Sequence, residues 1–220
     1  MKKLMIVGVA GGSCSGKTTI SKKIAKRLED MNTELRGANF TGLIIKMDNF
    51  YNDQKHIPPE ERPEINYDHP NAFDWLLMYD QILALSQNKE IEMPLYSFEY
   101  HTRKEKTEIK YPTDLIIFEG ILTLYNKKIY DLVDCKIFIE TDINKCFDRR
   151  LERDTKERGR TRESVVKQWE KTVLPGYEKY ILPSRDIADL IIRGEGNNEE
   201  DIKRAMVKIK YFLINNQQDL

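Results

Sequence analysis

A glycine-rich segment near the amino terminus constrains the fold of this chain more than any other feature. Residues 11–19 read Gly-Gly-Ser-Cys-Ser-Gly-Lys-Thr-Thr, and they follow the apolar run Leu4–Val9 and precede a helical pattern. The residues that match the spacing of a phosphate-binding loop are Gly11, Gly16, Lys17 and Thr18. In such a loop the backbone N–H groups turn inward around an anion, and the following helix directs its positive end there. The segment therefore predicts a strand, a phosphate-binding loop and a helix in succession.

All nine residues of this loop are expected to contact a nucleotide. They are Gly11, Gly12, Ser13, Cys14, Ser15, Gly16, Lys17, Thr18 and Thr19. Lys17 is expected to reach the outer phosphates, and the Thr18 hydroxyl is expected to bind a magnesium ion. A glycine-rich turn without a ligand would also fit these residues, and Cys14 could be interpreted as a nucleophile. The position between a strand and a helix favours the phosphate-binding loop, with Cys14 as a small residue in a non-glycine position.

Five short apolar runs are spaced along the chain, with patterns of helical period between them. The runs are Leu4–Val9, Leu43–Met47, Leu115–Phe118, Lys136–Ile139 and Leu190–Ile192. Nearly continuous apolar runs of this length are typical of strands that are covered on both faces. The helical patterns occupy residues 18–31, 73–85 and 143–157, and a further one begins at Glu199. This alternation predicts an α/β fold with a five-stranded parallel sheet flanked by helices.

Composition is consistent with one domain over residues 1–220 and excludes several kinds of partner. The chain has 36 basic and 36 acidic residues, so it has no overall positive field that would recruit nucleic acid. No apolar run approaches the roughly 20 residues that a membrane span needs, and no targeting segment precedes the first predicted strand. The three cysteines, Cys14, Cys135 and Cys146, lack metal-ligand spacing. We therefore expect a soluble, cytoplasmic protein.

Two segments interrupt the alternation of strands and helices. Residues 90–111 have strand-like ends around a polar middle, which predicts a β-hairpin inserted between the second and third strands of the sheet. Residues 148–162 hold six arginines and one glycine, which suits a mobile lid. The arginines are Arg149, Arg150, Arg153, Arg158, Arg160 and Arg162. One arginine often belongs to a solvated helix face, but such a cluster could clamp phosphates during their transfer.

Two carboxylates follow predicted strands at the edge where parallel sheets bind their ligands. Asp48 comes directly after Met47, and Glu119 comes directly after Phe118. Phosphoryl transfer uses one carboxylate to align and deprotonate the attacking hydroxyl, and a second near the metal. We therefore expect Asp48 to be the base and Glu119 to lie near magnesium, although each could instead be a solvated strand end or a helix cap.

The acceptor side of the site is expected to combine a carboxylate with aromatic rings. Asp68 could cap the helix that follows it, or it could accept hydrogen bonds from two neighbouring hydroxyls of a polyol. The hairpin carries Tyr96, Phe98, Tyr100 and His101. These rings could stack on a flat heterocycle and read its edge, or they could simply pack across the hairpin. The negative charges of Asp48 and Asp68 favour a neutral acceptor over one that already carries a phosphate.

With these residues assembled, the chain resembles the uridine-cytidine kinase family of P-loop nucleoside kinases over nearly its whole length. The motifs that carry the resemblance are the loop at 11–19, Met-Asp-Asn-Phe-Tyr at 47–51, Asn-Tyr-Asp-His-Pro-Asn-Ala-Phe-Asp at 66–74, Pro-Leu-Tyr-Ser-Phe at 94–98 with His101, Phe-Glu-Gly-Ile at 118–121, and Arg-Asp with Glu-Arg-Gly-Arg at 153–160. The loop occurs in many unrelated NTPases, whereas the Asp-His-Pro segment and the hairpin are more particular to this family. The resemblance implies a P-loop NTPase fold and ATP-dependent phosphorylation of uridine and cytidine at the 5′-hydroxyl.

The resemblance also implies roles for individual residues. Asp48 would be the base at the 5′-hydroxyl, Asp68 would bind the ribose hydroxyls, and Arg160 would meet phosphate. The remaining nucleoside contacts would come from Tyr67, Tyr96, Phe98, His101, Ile121, Arg150 and Gln168. Thr18 and Glu119 would hold Mg²⁺, the donor would be ATP or alternatively GTP, and the protein would be a homo-oligomer, often a tetramer. Tyr67, where phenylalanine is also seen, and Cys14 are mild departures from the family pattern.

Two other kinds of function remain open from the residues. A kinase of the same fold for pantothenate or ribulose 5-phosphate would keep the loop and Asp48 without needing Tyr96 and His101 as base readers. A GTP-dependent switch protein would use the same loop, but guanine recognition usually depends on an Asn-Lys-x-Asp segment. The chain has Asn-Lys-Lys-Ile at 126–129 instead, which disfavours a switch protein.

Overall fold

The computed structural model describes residues 4–34 and 39–215, and it contains a parallel sheet between two helical layers. The strands are β1 (Met5–Gly11), β2 (Gly42–Lys46), β3 (Ile91–Met93), β4 (Tyr96–Ser97), β5 (Thr102–Arg103), β6 (Glu108–Lys110), β7 (Leu115–Glu119), β8 (Cys135–Glu140) and β9 (Leu190–Arg193). The helices are α1 (Lys17–Glu34), α2 (Trp75–Ser86), α3 (Lys127–Tyr130), α4 (Ile143–Lys156), α5 (Arg162–Gln168), α6 (Leu174–Gly176) and α7 (Glu199–Asn215). Within these ranges no helix is long and apolar enough to cross a membrane.

The main sheet has five strands in the order β2-β7-β1-β8-β9, and every pairing between neighbours is parallel. Met5 of β1 lies opposite Leu115 of β7, and Val7 lies opposite Cys135 of β8. All five apolar runs form strands of this sheet, which confirms the predicted fold. β1 is central and fully buried, as expected of a strand that is covered on both faces.

The two faces of the sheet pack against different helices. Alternate residues of β1 point to opposite sides, so Val7 contributes to the core under α1 and α7, while Ile6 contributes to the core under α2. Ile20, Ile24 and Leu28 of α1 recur at steps of four residues and are buried on the first face. Burial of each such side chain contributes about 1.5–3 kcal/mol to stability. The resulting layers fix the positions of the strand ends at which the candidate site lies.

The predicted hairpin is present between β2 and β7 and is interrupted midway. β3 pairs antiparallel with β6, and nearer the tip β4 pairs antiparallel with β5, with Tyr96 opposite Arg103. Arg103 donates from Nε to the Tyr51 carbonyl at 2.9 Å and from Nη2 to the Asp74 carboxylate at 3.0 Å. These two bonds hold the hairpin against the segment that follows β2 and against the start of α2.

The arginine-rich segment is more helical than a loop-like lid would be. α4 begins after Asp142, whose carboxylate accepts hydrogen bonds from the backbone N–H groups of Asn144 and Lys145. The helix then continues to Lys156, so residues 148–156 of the predicted lid are helical and residues 157–161 form the connection to α5. Gly159 in this connection has a φ of +63°, which glycine adopts without steric cost. The mobility of the segment stays a prediction.

Candidate active site

The site lies at the carboxyl ends of three adjacent strands. The phosphate-binding loop leaves β1, Asp48 follows β2 in a 3₁₀ turn, and Glu119 is the last residue of β7. Gly120 permits this arrangement, because a Cβ at that position would lie 2.3 Å from Cβ of Met47. The absence of a side chain at Gly120 therefore lets the ends of β2 and β7 come together with their carboxylates on the same edge.

The loop has the backbone conformation of an anion cradle. Gly11, Cys14 and Gly16 have φ angles of +147°, +60° and +98°. Residues with positive φ angles, alternating with residues of negative φ, turn successive backbone N–H groups toward a common point. Lys17 Nζ donates to the Gly12 carbonyl at 2.6 Å, so the ammonium group lies over the loop. Burial lowers the pKa of Lys17, while the charges of Glu119 and Asp48 oppose that change.

Thr18 and Glu119 meet at the end of the loop. Thr18 Oγ1 lies 2.8 Å and 3.0 Å from the two carboxylate oxygens of Glu119. Burial raises the pKa of Glu119, and the hydrogen bond from Thr18 and the charge of Lys17 oppose that rise. Hydroxyl and carboxylate oxygens are ligands that Mg²⁺ prefers, so this pair fits magnesium. In the described part of the chain no group of three His, Cys, Asp or Glu side chains could hold a metal, so further ligands would come from phosphate and water.

A pocket of about 720 Å³ adjoins the loop. Its lining combines Ser13 of the loop with side chains from the segment after β2, the hairpin, α4 and α5. The sequence-predicted residues that line it are Ser13, Asp48, Tyr67, Asp68, Tyr96, Phe98, His101, Ile121, Arg150, Arg160 and Gln168. The structure thus brings the predicted acceptor residues to one cavity beside Ser13 of the loop, except Tyr100, which is exposed and does not line it.

Asp68 is a pocket residue and does not cap a helix. The carboxylate that caps α2 belongs to Asp74, which accepts from the Leu77 N–H at 3.1 Å. His69 caps the preceding 3₁₀ turn by accepting from the Asn71 N–H, also at 3.1 Å. Asp68 itself is buried, and this burial raises the pKa of its carboxyl, opposed mainly by the positive charge of Arg150. The capping interpretation of Asp68 is therefore wrong, and its role in ligand binding stays a prediction.

Aromatic rings form one wall of the pocket. Tyr51 stacks on Phe73 with ring centroids 4.3 Å apart, and its other contacts are with Tyr67 at 5.4 Å and Tyr96 at 5.0 Å. Burial raises the pKa of Tyr96, so its hydroxyl stays protonated. That buried hydroxyl makes no hydrogen bond of normal geometry within residues 4–34 and 39–215, although the neighbouring Tyr67 hydroxyl raises its pKa further. A buried donor without a partner costs free energy unless a ligand satisfies it.

His101 stacks on this wall in an unusual backbone conformation. Its φ is +53°, in the left-handed region, and its ring lies 5.1 Å from the ring of Tyr67. Burial lowers the pKa of His101, and the charges of Arg160 and Arg158 lower it further. The imidazole is therefore neutral near pH 7, with one nitrogen that donates and one that accepts a hydrogen bond.

Arg150 and Gln168 connect the loop with the pocket. Arg150 Nη1 donates to Ser13 Oγ at 2.9 Å, and Nη2 donates to Gln168 Oε1 at 2.9 Å. Arg160 Nη1 donates to the same Gln168 oxygen, and its Nη2 donates to the Ser164 carbonyl at 3.1 Å. Positive groups therefore lie between the cradle for phosphates and the acceptor pocket.

Sequence reasoning assigned no site role to several residues that the structure places here. The pocket is also lined by Tyr51, Pro63, Glu99 and Glu157, and by Arg153 and Arg158 of the predicted arginine cluster. Beneath the loop, Thr141 Oγ1 donates to the Ser15 carbonyl at 2.8 Å, and Gly194 contacts the same carbonyl closely. The sequence gives a partial signal for Tyr51, which ends the motif at 47–51, and none for Gly194, which is distant along the chain.

A phosphate-binding loop beside an acceptor pocket, on a parallel sheet of this order, defines a P-loop kinase. The model of the phosphoribulokinase/uridine kinase family matches residues 6–200, and the chain belongs to that family.

Individual relatives agree with this assignment. The chain is 44% identical over 212 residues to a uridine kinase of Clostridium tetani, covering 96% of this chain and 97% of the relative. It is 42% identical over 213 residues to a uridine kinase of Lactobacillus helveticus, covering 97% of each. A solved structure described as a possible uridine kinase from Bacillus stearothermophilus superposes with a TM-score of 0.60 at 17% identity, covering 87% of this chain and 89% of that one. At that identity the superposition shows the fold alone.

Proposed function

We propose that this protein transfers the terminal phosphoryl group of ATP to the 5′-hydroxyl of uridine or cytidine, giving UMP or CMP and ADP. The observation that carries the proposal is the pocket in which Asp48, Asp68 and the Tyr96–His101 hairpin tip face Ser13 of the phosphate-binding loop. The uridine kinases that are 40–44% identical over nearly the whole chain support the same substrate class.

Asp48 is the general base in this proposal. It lies at the end of β2, lines the pocket and is half-buried, so it can reach a hydroxyl there without being cut off from water. As the 5′-oxygen attacks the terminal phosphorus, Asp48 accepts the hydroxyl proton, the bond from that phosphorus to the bridging oxygen breaks, and ADP leaves. A loose transition state demands little of the base, so an ordinary aspartate suffices.

Charge stabilisation and alignment of the reactants supply the remainder of the rate enhancement. Lys17 and the guanidinium groups of Arg150 and Arg160 are positioned to balance charge on the transferring group and the leaving oxygen. MgATP supplies the phosphoryl group and a metal ion that neutralises phosphate charge, with Thr18 and Glu119 as the protein groups suited to the ion. GTP is an alternative donor that the loop accommodates equally, because the loop contacts phosphates.

Recognition of the nucleoside uses two parts of the pocket. The buried carboxylate of Asp68 accepts hydrogen bonds from both ribose hydroxyls, which replaces the solvation that burial removes. Tyr96 and His101 bind the edge of the pyrimidine, and Tyr67, Phe98 and Ile121 contact the base and sugar faces. The unpartnered Tyr96 hydroxyl and the neutral His101 ring are suited to a heterocycle with both donors and acceptors on its edge.

A kinase for pantothenate or ribulose 5-phosphate is the second candidate. The family description includes phosphoribulokinases, and the loop and Asp48 would serve either reaction. Such a substrate has no planar base, however, and would leave the Tyr96 hydroxyl without a partner. An acceptor that carries a phosphate would also meet the charges of Asp48 and Asp68. The aromatic wall therefore favours a nucleoside.

One assay separates these candidates. ADP release is measured with MgATP and, in separate reactions, uridine, cytidine, adenosine, thymidine, UMP, pantothenate and ribulose 5-phosphate. Uridine and cytidine are expected to turn over fastest. Turnover of another acceptor with no turnover of uridine or cytidine would refute the proposal.

Asp48→Asn tests the role of the base. We expect kcat to fall by about 10²–10⁴-fold, the usual contribution of general base catalysis, while uridine still binds. Asp131→Asn is the control, because Asp131 pairs with Lys127 on α3 and does not line the pocket. Near-normal turnover of Asp48→Asn would remove Asp48 from the role of base.

Three further parts of the proposal concern the whole protein. We propose that it acts in the cytoplasm, without nucleic acid or membrane partners, and as a homo-oligomer, with the tetramer implied by family resemblance. Equal numbers of acidic and basic residues leave no overall positive field, which supports the absence of nucleic-acid partners. Light scattering of the purified protein measures the oligomeric state directly.

A further inference from the structure

Asp154 is the most completely enclosed carboxylate near the pocket. Its side chain is 0% exposed, although it lies two residues before the carboxyl end of α4. Four arginines surround it, with the shortest nitrogen–oxygen distances at 2.7 Å, 3.5 Å, 3.5 Å and 3.7 Å. In the order of those distances they are Arg153, Arg150, Arg158 and Arg160. Asp154 itself does not line the pocket, but all four of these arginines do.

The contacts of Asp154 reach both ends of the arginine cluster. Arg150 lies one helical turn before it on α4, so these two side chains share one face of the helix, whereas Arg158 reaches the same carboxylate from the connection after α4. Its backbone carbonyl accepts from the Arg160 N–H at 3.0 Å, which fixes the path of the chain after Gly159. One buried residue therefore holds guanidinium groups of α4 and of the segment that follows α4.

The charges explain why such a residue is needed. Four guanidinium groups around a single carboxylate leave an excess of positive charge, and like charges in partly buried positions repel one another. Without a central anion, the more exposed side chains gain solvation by turning outward to water. With it, the cluster keeps its excess charge and a defined geometry toward the pocket. Preorganised charge of this kind stabilises a transition state better than mobile charge does.

We infer that Asp154 is a positioning residue for phosphoryl transfer, which holds the arginine cluster in place over the junction between loop and pocket. This inference rests on the proposed kinase function. It predicts the direction in which the affinity for an anionic nucleotide changes when Asp154 is removed. If Asp154 only offset positive charge, its removal would strengthen binding of an anionic nucleotide, whereas loss of position would slow phosphoryl transfer and weaken nucleotide binding.

The test compares Asp154→Asn with Asp201→Asn. Asp201 is the matched control, since its carboxylate is also largely buried and pairs with two arginines, Arg193 and Arg204, but it lies on α7. For each variant, kcat and KM are measured with uridine and MgATP, and the affinity for MgADP is measured by calorimetry. We expect Asp154→Asn to lose about 30-fold in kcat, because a misplacement near 1 Å can cost about 100-fold, and to bind MgADP about fivefold more weakly. We expect Asp201→Asn to keep kcat within twofold even where its Tm falls.

Each outcome decides the question. A kcat of Asp154→Asn within threefold of wild type, or tighter MgADP binding with unchanged kcat, would overturn the inference. If the wild-type protein fails to phosphorylate uridine or cytidine, the proposed function fails. The MgADP affinity of Asp154→Asn then tests the inference by itself, and unchanged or tighter binding would overturn the positioning role. If Asp154→Asn does not fold, the pair R153Q and R153Q/D154N replaces it, since the double variant loses one charge of each sign. The double variant should then have at least tenfold lower kcat than R153Q, and equal values would overturn the inference.

Discussion

Gly194→Ala should displace the phosphate-binding loop from a position far away in the sequence. Gly194 follows β9, and a Cβ there would lie 1.8 Å from the Ser15 carbonyl oxygen and 2.3 Å from Thr141 Oγ1. Neither Gly194 nor the loop can move away freely, because the Gly194 N–H donates to the Glu140 carbonyl at 2.9 Å and Thr141 holds the Ser15 carbonyl. The extra methyl group therefore has no space on either side.

The size of the effect follows from these distances. Inserting a methyl group into a packed site costs about 1–3 kcal/mol, and contact with a fixed backbone oxygen at this distance places Gly194→Ala at the upper end. For a chain of this length a loss of about 3 kcal/mol lowers Tm by roughly 6–12 °C. Because the displaced atoms belong to the loop, the affinity for MgADP should also fall, by at least about tenfold.

Gly196→Ala is the matched control for this change. Gly196 has a φ of +64° and would place its Cβ in open space, so alanine there meets backbone strain and no steric overlap. We expect it to lose about 1–2 kcal/mol of stability while keeping its affinity for MgADP. Thermal unfolding and calorimetry measure both quantities. A Gly194→Ala protein with a Tm within about 2 °C of wild type and unchanged MgADP affinity would refute the reasoning.

Two further predictions concern the nucleoside pocket. Because burial raises the pKa of Asp68, the folded chain binds that proton more readily than the unfolded chain, and the free energy of unfolding falls as pH rises from the usual aspartate range through the raised pKa. Asp68→Asn should therefore have a higher Tm than wild type at neutral pH, and the difference should shrink as pH falls toward the usual aspartate range. Calorimetry should show at least about tenfold weaker uridine binding. A lower Tm than wild type at neutral pH would contradict this prediction. Tyr96→Phe removes a buried hydroxyl that makes no hydrogen bond of normal geometry in the described ranges, so denaturant titration should show a gain of about 1 kcal/mol in stability. The KM for uridine should rise about tenfold while the KM for ATP stays unchanged. An isolated rise in the KM for ATP would contradict this prediction.

Much of the fold could be predicted because local patterns and tertiary demands agree. Each apolar run lies in a strand that is covered by helices, so the apolar pattern in the sequence and the burial in the structure both indicate a strand at the same residues. The loop is recognisable because its glycines serve a local backbone conformation, with φ values of +147° at Gly11 and +98° at Gly16. Asp48 and Glu119 could be predicted because strand ends in a parallel sheet converge on one edge.

Other features depend on contacts between distant parts of the chain and could not be read from local pattern. That Asp68 does not cap the helix was decided by Asp74 and His69, which provide the caps. The extent of the lid was decided by α4, which continues to Lys156.

The sequence by itself determined the kind of sheet, the loop that binds phosphate and the carboxylates at the strand ends, since these depend on short-range periodicity and on residue types with local effects. Only the tertiary structure decided that Gly194 contacts the loop, that Asp154 lies among four arginines, and that the hairpin tip and Asp68 line one pocket. The physical reason is that close approach and charge repulsion act between atoms in space, whereas the sequence records only their separation along the chain.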